Sequence, residues 1–321
     1  MRWLLVDGFN LVFRSHFAME RSNLRRPSDQ FPTGALHGWI KVLQDLRESE
    51  QPDRCIVFFD LGGSDRHLAI LPDYKGQRDD TPPDIILQLP DIKRLTALLG
   101  FQVVEQRGVE ADDLIATAVQ RLAAAGDECI IVSADKDFGQ CVGGKVMQLA
   151  PPPTANPAAG WRRLDAAGVE AKFGVPPARI ADYLALVGDT SDNIPGLKGV
   201  GPKTAVKWLQ QYGDLAGVLG AAETLEPERF RDQVKAEADR IRTNLTLVRF
   251  KTDFAFEPTV SPAEDVAGVV TFLVAMEMHS TLRRYQTKHG LAPPSAPVAP
   301  QPVLREKPKP TALGPEQGEL F

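Results

Sequence analysis

Three short apolar runs each end in aspartate. Leu4-Leu5-Val6 runs into Asp7, Cys55-Ile56-Val57-Phe58-Phe59 into Asp60, and Cys129-Ile130-Ile131-Val132 into Ser133-Ala134-Asp135-Lys136-Asp137. Runs this short and this apolar read as strands buried on both faces. Patterns of helical period separate them: one from Thr33-Gly34 through Leu36, Ile40, Leu43 and Leu46, and one from Ile85 to Leu99. Phe101 to Glu105 and Val146 to Leu149 add two further strands. Strands alternating with helices imply βαβ units, so the fold class is α/β with a mostly parallel central sheet. In such a sheet the ligand site lies outside the carboxyl ends of the strands, where Asp7, Asp60, Asp135 and Asp137 are delivered together.

A second acidic group belongs to the same edge. Gly108-Val109-Glu110-Ala111-Asp112-Asp113-Leu114-Ile115 opens a helical pattern that continues through Ala118, Val119 and Leu122. Glu110 and Asp113, three apart, share a helix face, and Asp112 is offset from them. The helix N-terminus favours negative charge, and a bound cation would neutralise more of it. Further along, Gly188-Asp189-Thr190-Ser191-Asp192-Asn193 contributes one more pair. Nine carboxylates then converge: Asp7, Asp60, Glu110, Asp112, Asp113, Asp135, Asp137, Asp189 and Asp192. All are oxygen donors, which suits magnesium or manganese rather than zinc. A cluster of this size holds two ions, and two ions can clamp a phosphodiester. No Ser/His/Asp set, no Walker lysine loop and no catalytic cysteine–histidine pair offers a competing chemistry.

Charge is consistent with that chemistry. The 321 residues carry a net −5. Setting the nine clustered carboxylates aside leaves +4, a mildly basic remainder. The three cysteines, Cys55, Cys129 and Cys141, are isolated, so neither a zinc site nor a disulfide framework is expected. The start, Met1-Arg2-Trp3, is unlike a signal peptide, and no run is long enough to cross a membrane. A reducing, cytoplasmic location is expected.

Two stretches bear on a polyanion. Residues 62–83 have little apolar periodicity but hold Arg66, His67, Tyr74, Lys75 and Arg78, and read as a lid over a strand end. Gly199-Val200-Gly201-Pro202-Lys203-Thr204, after Lys198, resembles a helix–hairpin–helix glycine turn that lets backbone amides reach a phosphate. The region around it is helical: 164–173, 177–187 and 203–211. Pro151 to Gly160 marks a boundary. The expected organisation is an α/β core over 1–155, a helical unit over 156–290, and a disordered proline-rich tail over 291–321.

Together and in this order, Val6-Asp7-Gly8, Phe59-Asp60, Tyr74-Lys75-Gly76-Gln77-Arg78, Val109-Glu110-Ala111-Asp112-Asp113, Ala134-Asp135-Lys136-Asp137, Gly188–Asn193 and Gly199–Thr204 resemble the 5′ nuclease family. That family comprises flap endonucleases, phage 5′-exonucleases and the N-terminal nuclease domain of bacterial DNA polymerase I. The resemblance covers roughly 1–285. It implies a PIN-like core with a helix–hairpin–helix DNA-binding subdomain, two magnesium or manganese ions, and a potassium ion at the glycine hairpin. By resemblance, Asp7, Asp60, Glu110 and Asp112 hold one ion, and Asp113, Asp135, Asp137, Asp189 and Asp192 serve the second. The motifs do not specify the bridging carboxylate. Lys75 and Arg78 stand at the base of a helical arch over about 62–92, facing the scissile phosphate. Tyr74 stacks near the 5′ end and Arg14 contacts phosphate. Lys198, Gly199, Gly201, Lys203 and Thr204 bind duplex backbone.

The implied activity is structure-specific cleavage of DNA flaps, nicks or 5′ ends, RNA primer remnants included, by a monomer. With no polymerase following, the expectation is a stand-alone nuclease. Gln317-Gly318-Glu319-Leu320-Phe321 resembles a short peptide that binds the bacterial sliding clamp, with glycine in place of the usual leucine. Two rival readings are a non-catalytic DNA-junction binder tethered to the clamp and a PIN-type ribonuclease. Neither explains both the nine carboxylates and the glycine hairpin.

Overall fold

The structure is a computed structural model. It describes residues 1–291 except 154, 155, 256, 258 and 260. The sheet has six strands: β1 (Arg2–Asp7), β2 (Arg54–Leu61), β3 (Gln102–Arg107), β4 (Glu128–Val132), β5 (Val146–Ala150) and β6 (Arg162–Leu164). Their order is β3-β2-β1-β4-β5-β6. The first five are parallel, and β6 closes the edge antiparallel to β5. Sequence order reverses between β1 and β4, so the switch point where such sheets bind ligands lies between the ends of those two strands. Asp7 ends one and Asp135 follows the other.

The strands are apolar throughout because both faces are covered. Along β1, Leu4 and Val6 point into one core and Trp3 and Leu5 into the other, the alternation a strand requires. On the first face lie α1 (Gly8–Met19), α2 (Gly34–Glu50) and, after the short α3 (Asp65–Ile70), α4 (Pro83–Leu98). On the other lies α5 (Ala111–Ala124). Complete burial of each Leu, Ile or Val contributes roughly 1.5–3 kcal/mol, which leaves the strand ends little freedom to move the aspartates they carry.

The helical unit has its own core around Trp208, Leu184 and Leu186. It comprises α6 (Ala166–Phe173), α7 (Ile180–Val187), α8 (Pro202–Tyr212), α9 (Leu215–Gly220), α10 (Arg231–Ala236) and α11 (Ala238–Val248), with a two-stranded ladder of β7 (Gly188–Asp189) and β8 (Ile194–Pro195).

Three expectations are corrected. The helix expected from residue 164 starts at Ala166, because Leu164 ends the edge strand Arg162–Leu164 that pairs with β5. Residues 266–288 do not extend the helical unit. α12 (Val266–Ala275) and α13 (His279–Lys288) bury Val269, Phe272, Leu273, Leu282 and Tyr285 in the first core with Trp39 and Ile92. The segment 62–92 does not stand off as an arch. α3 and the turns after it fold down, and Leu71 and Tyr74 pack into the helical core.

Candidate active site

Asp7 is fixed twice. It caps α1 by accepting the Asn10 backbone N–H at 3.1 Å, and its other oxygen accepts the Ser133 hydroxyl at 2.7 Å. Burial raises its pKa to about 7; the Ser133 and Asn10 hydrogen bonds oppose the rise, and Asp60 and Asp135 add to it. Asp60 accepts the Ala111 N–H at 2.7 Å, satisfying one donor left open at the start of α5. Burial raises Asp60 as well. Asp112, in the first turn of α5, is held well above the carboxylate range, first by burial and then by Asp7 and Asp135. Asp135 is oriented by its own turn: it accepts the Asp137 N–H at 2.9 Å, and its carbonyl accepts Gln148 Nε2 at 2.6 Å.

A second group lies beside the first. One carboxylate oxygen from each of Asp137, Asp189 and Asp192 falls within 4.8 Å of the others. Asp137 Oδ1 is buried and accepts no hydrogen bond, with Lys136 Nζ 3.2 Å away. Burial, with Asp135, raises Asp137 to about 8. Asp189 lies below the usual range: burial works against its charge, but Lys136 at 2.6 Å and the Ser191 hydroxyl at 2.5 Å outweigh it. Asp135 acts on Asp7, on Asp112 and on Asp137, so it belongs to both groups.

The last two aspartates reach the sheet edge through glycine. Gly188 adopts φ +80°, and a Cβ on Gly196 would lie 2.2 Å from the Val187 carbonyl oxygen. Only this close β7–β8 crossing turns the chain after α7 back toward Asp137.

The lid is bound into the site. Lys75 Nζ contacts Glu110 Oε1 at 2.5 Å, and Arg78 Nη2 contacts Asp192 Oδ1 at 2.7 Å. Lys75 itself sits at φ +55°, with its N–H donating to the Asp192 carbonyl at 3.1 Å. Burial disfavours the Lys75 charge, but Glu110, Asp192 and Asp112 outweigh it and raise its pKa. Tyr74 is buried. Its hydroxyl donates toward Glu110 (3.1 Å) and Asp192 (2.9 Å), and its ring stacks on His67 with centroids 4.3 Å apart. In this conformation the ring is covered by His67.

Asp113 accepts the Lys251 N–H at 2.8 Å, with Arg66 3.6 Å away. Ser133 and Lys136 were not assigned a role from the sequence, and His67 was named only as part of the 62–83 stretch. The position of Lys136 between Asp135 and Asp137 was a usable signal; Ser133 gave none.

At the hairpin Gly199 has φ +79°, and a Cβ on Gly201 would meet nothing within 4 Å. Gly201 precedes α8, with Thr204 on its first turn and Lys198 and Lys203 exposed. Arg14 lies half-buried on α1, where burial lowers its pKa. Gln317, Leu320 and Phe321 fall outside the described residues.

A profile of the 5′-3′ exonuclease N-terminal resolvase-like domain matches residues 2–174, and one of the 5′-3′ exonuclease C-terminal SAM fold matches 175–265. The chain belongs to the 5′-3′ exonuclease family. Within the family, a 5′-3′ exonuclease of Aquifex aeolicus is 36% identical over 79% of this chain and 83% of its own length. The thermostable DNA polymerase I of Thermus thermophilus is also 36% identical, over 91% of this chain but 34% of the polymerase. The chain thus spans about a third of the polymerase relatives it matches. Among solved structures, T5 5′-exonuclease with bound zinc superposes with a TM-score of 0.66 at 21% identity, covering 90% of this chain and 98% of that one. The catalytic core of Rad2 in complex with DNA substrate gives 0.59 at 15% identity, covering 89% and 91%. At these identities the likeness is one of fold.

Proposed function

We propose that this chain is a metal-dependent, structure-specific 5′-3′ nuclease that hydrolyses phosphodiesters at 5′ ends, flaps or nicks of DNA, and at RNA primer remnants, in replication and repair. The observation that carries the reading is the pair of carboxylate groups joined at Asp135. Such a concentration of carboxyls, several raised in pKa first by burial and then by one another, suits divalent cations and little else. Asp137 Oδ1 is buried and accepts no hydrogen bond, with the Lys136 ammonium beside it, and every ligand type is oxygen.

Asp7, Asp60, Asp112 and Asp135 would hold one magnesium or manganese ion, with Glu110 joining once Lys75 leaves it. Asp135, Asp137, Asp189 and Asp192 would hold the other. Bound there, the two ions supply an activated water for attack and stabilisation of the leaving oxygen. This chain's own cations do the rest. Lys75 and Arg78, drawn off Glu110 and Asp192, meet charge developing on the phosphate. Arg14 holds a neighbouring phosphate. Lys198, Lys203, Thr204 and the open backbone at Gly199 and Gly201 hold the duplex, with a potassium ion at the hairpin. The same proposal has the protein act as a monomer in the cytoplasm and bind the sliding clamp through Gln317, Leu320 and Phe321. Among the described residues no helix is long and apolar enough to cross a membrane.

The deciding experiment presents a 5′-flap, a nicked duplex and a single strand, each with magnesium and with EDTA. Metal-dependent cutting at the flap junction is expected. Binding without cutting would instead support a junction-binding protein.

A further inference from the structure

One cation beside the aspartates belongs to neither the lid nor the helical unit. Lys136 stands between Asp135 and Asp137, at the start of the short 3-10 helix Lys136–Cys141. Its ammonium turns back over the second carboxylate group. Nζ donates to Asp189 Oδ2 at 2.6 Å and lies 3.2 Å from Asp137 Oδ1. It thereby ties together two aspartates from different units, whose side chains are 11% (Asp137) and 4% (Asp189) exposed. The third member of the group, Asp192, is paired with Arg78 of the lid. Lys136 is therefore the counter-ion that the metal-free protein itself places between Asp137 and Asp189.

The ammonium fits there imperfectly. It has three N–H bonds in set directions, and although it lies within ion-pair distance, Asp137 Oδ1 accepts no hydrogen bond among the described residues. A small spherical ion has no such directions, carries twice the charge, and takes oxygen ligands from several sides. Oxygens of Asp137, Asp189 and Asp192 within 4.8 Å of one another are near enough to serve one. Ion and ammonium need the same oxygens, so one must give way. Lys75 and Arg78 can leave with the lid. Lys136 cannot, because its backbone runs between two of the acidic residues and the next N–H, that of Asp137, is held by Asp135 at 2.9 Å. What can move is its side chain, which has a flexible four-carbon stem and is 35% exposed, open to solvent without any shift of the backbone.

We infer that the Lys136 ammonium holds the place of the second divalent ion, so that loading this group is an exchange of one cation for another. The inference rests on the two-ion reading of the site and extends it. The exchange weakens the group's affinity for metal and spares the metal-free protein part of its carboxylate repulsion.

Manganese alone, without DNA, tests it. Free Mn2+ is counted by electron paramagnetic resonance as the full-length protein is titrated. Asp189→Asn should remove one class of site, which identifies the second group. Lys136→Met should tighten that class by roughly five- to tenfold, the scale of a partly exposed ion pair that no longer has to be broken, and leave the other class unchanged. Lys136→Arg keeps the charge and should stay within about twofold of wild type. Stability in EDTA should move the opposite way, with the melting temperature of Lys136→Met lower by roughly 2–4 °C. Lys136→Gln serves as the neutral variant if Lys136→Met does not fold. Unchanged or weaker manganese binding in the neutral variant overturns the inference, and so does equal tightening by Lys136→Arg. Flap cleavage with magnesium by the wild-type protein is measured in parallel. Cutting by the wild type without tightening in the variant rejects the role of Lys136 and leaves the nuclease reading standing. Tightening without cutting rejects the nuclease reading and keeps Lys136 as the resident cation of a metal site.

Discussion

Asp135 acts electrostatically on carboxylates of both groups, and its side chain accepts one backbone N–H, that of Asp137. Its replacement removes charge from each group at once. Asp135→Ala should abolish cleavage while leaving circular dichroism and duplex binding unchanged, and should raise the melting temperature of the metal-free protein. A variant that still cuts with magnesium would exclude the site. Lys75 presents a different case, because it pairs with Glu110 at 2.5 Å and on the proposed function would leave it for the phosphate. Lys75→Ala should lower kcat by roughly 10²–10³-fold, the usual loss for one donor to transition-state charge, with a far smaller change in KM. Unchanged kcat would leave Lys75 as a structural partner of Glu110 alone. At this scale most acidic positions were legible, since each sits at a strand end or helix start. The partners of Tyr74, His67 and Asp113 were not. They come from segments 36 to 180 residues away, and nothing local fixes which neighbour a side chain will meet.

The β7–β8 ladder carries Asp189 of the second group, and the glycine hairpin is the element on which the proposed duplex contact depends. Gly196→Ala would drive a methyl into the Val187 carbonyl. Overpacking of this kind costs about 1–3 kcal/mol, and the melting temperature should fall by roughly 2–4 °C for each of them. Because Asp189 and Asp192 ride on this ladder, magnesium affinity measured by calorimetry should fall as well; loss of stability with intact affinity would mean the ladder does not position them. Lys203, exposed at the start of α8, predicts a separate effect. Lys203→Ala should weaken duplex binding and reduce the slope of log K against log salt by about one, without lowering kcat. The parallel strands were legible because double-sided burial leaves an unbroken apolar run. The edge strand Arg162–Leu164 was not, since three residues with two arginines carry no period, and its assignment depends on pairing with β5.

For the whole molecule the metal-free site is a reservoir of unfavourable charge. Asp7, Asp112 and Asp137 all titrate higher folded than unfolded. The folded state therefore binds more protons, and stability must fall as pH rises through the interval between the two states. With unfolded values near 4 and folded values of about 7 for Asp7 and about 8 for Asp137, the loss should run from about pH 4 to pH 8 and level off above it. Melting curves in EDTA across that range provide the check, and magnesium should restore more stability at pH 8 than at pH 5. A flat profile in EDTA would contradict the burial of these groups. The packing of α12 and α13 on the first core was hidden in the sequence for a related reason: an amphipathic helix declares that it has a partner, not which one.

The aspartates of the two groups are far apart in the chain. Asp7 to Asp137 belong to the sheet unit, while Asp189 and Asp192 reach it from a unit with its own hydrophobic core. A ribosome delivers these pieces in order, and domains fold largely as they emerge. The sheet unit is the exception, because α12 and α13, which cover its first core, are made after Asp192. The sheet therefore finishes packing last, when both sets of aspartates are already in the chain, and a cut between the units would leave the sheet without two of the helices that cover it.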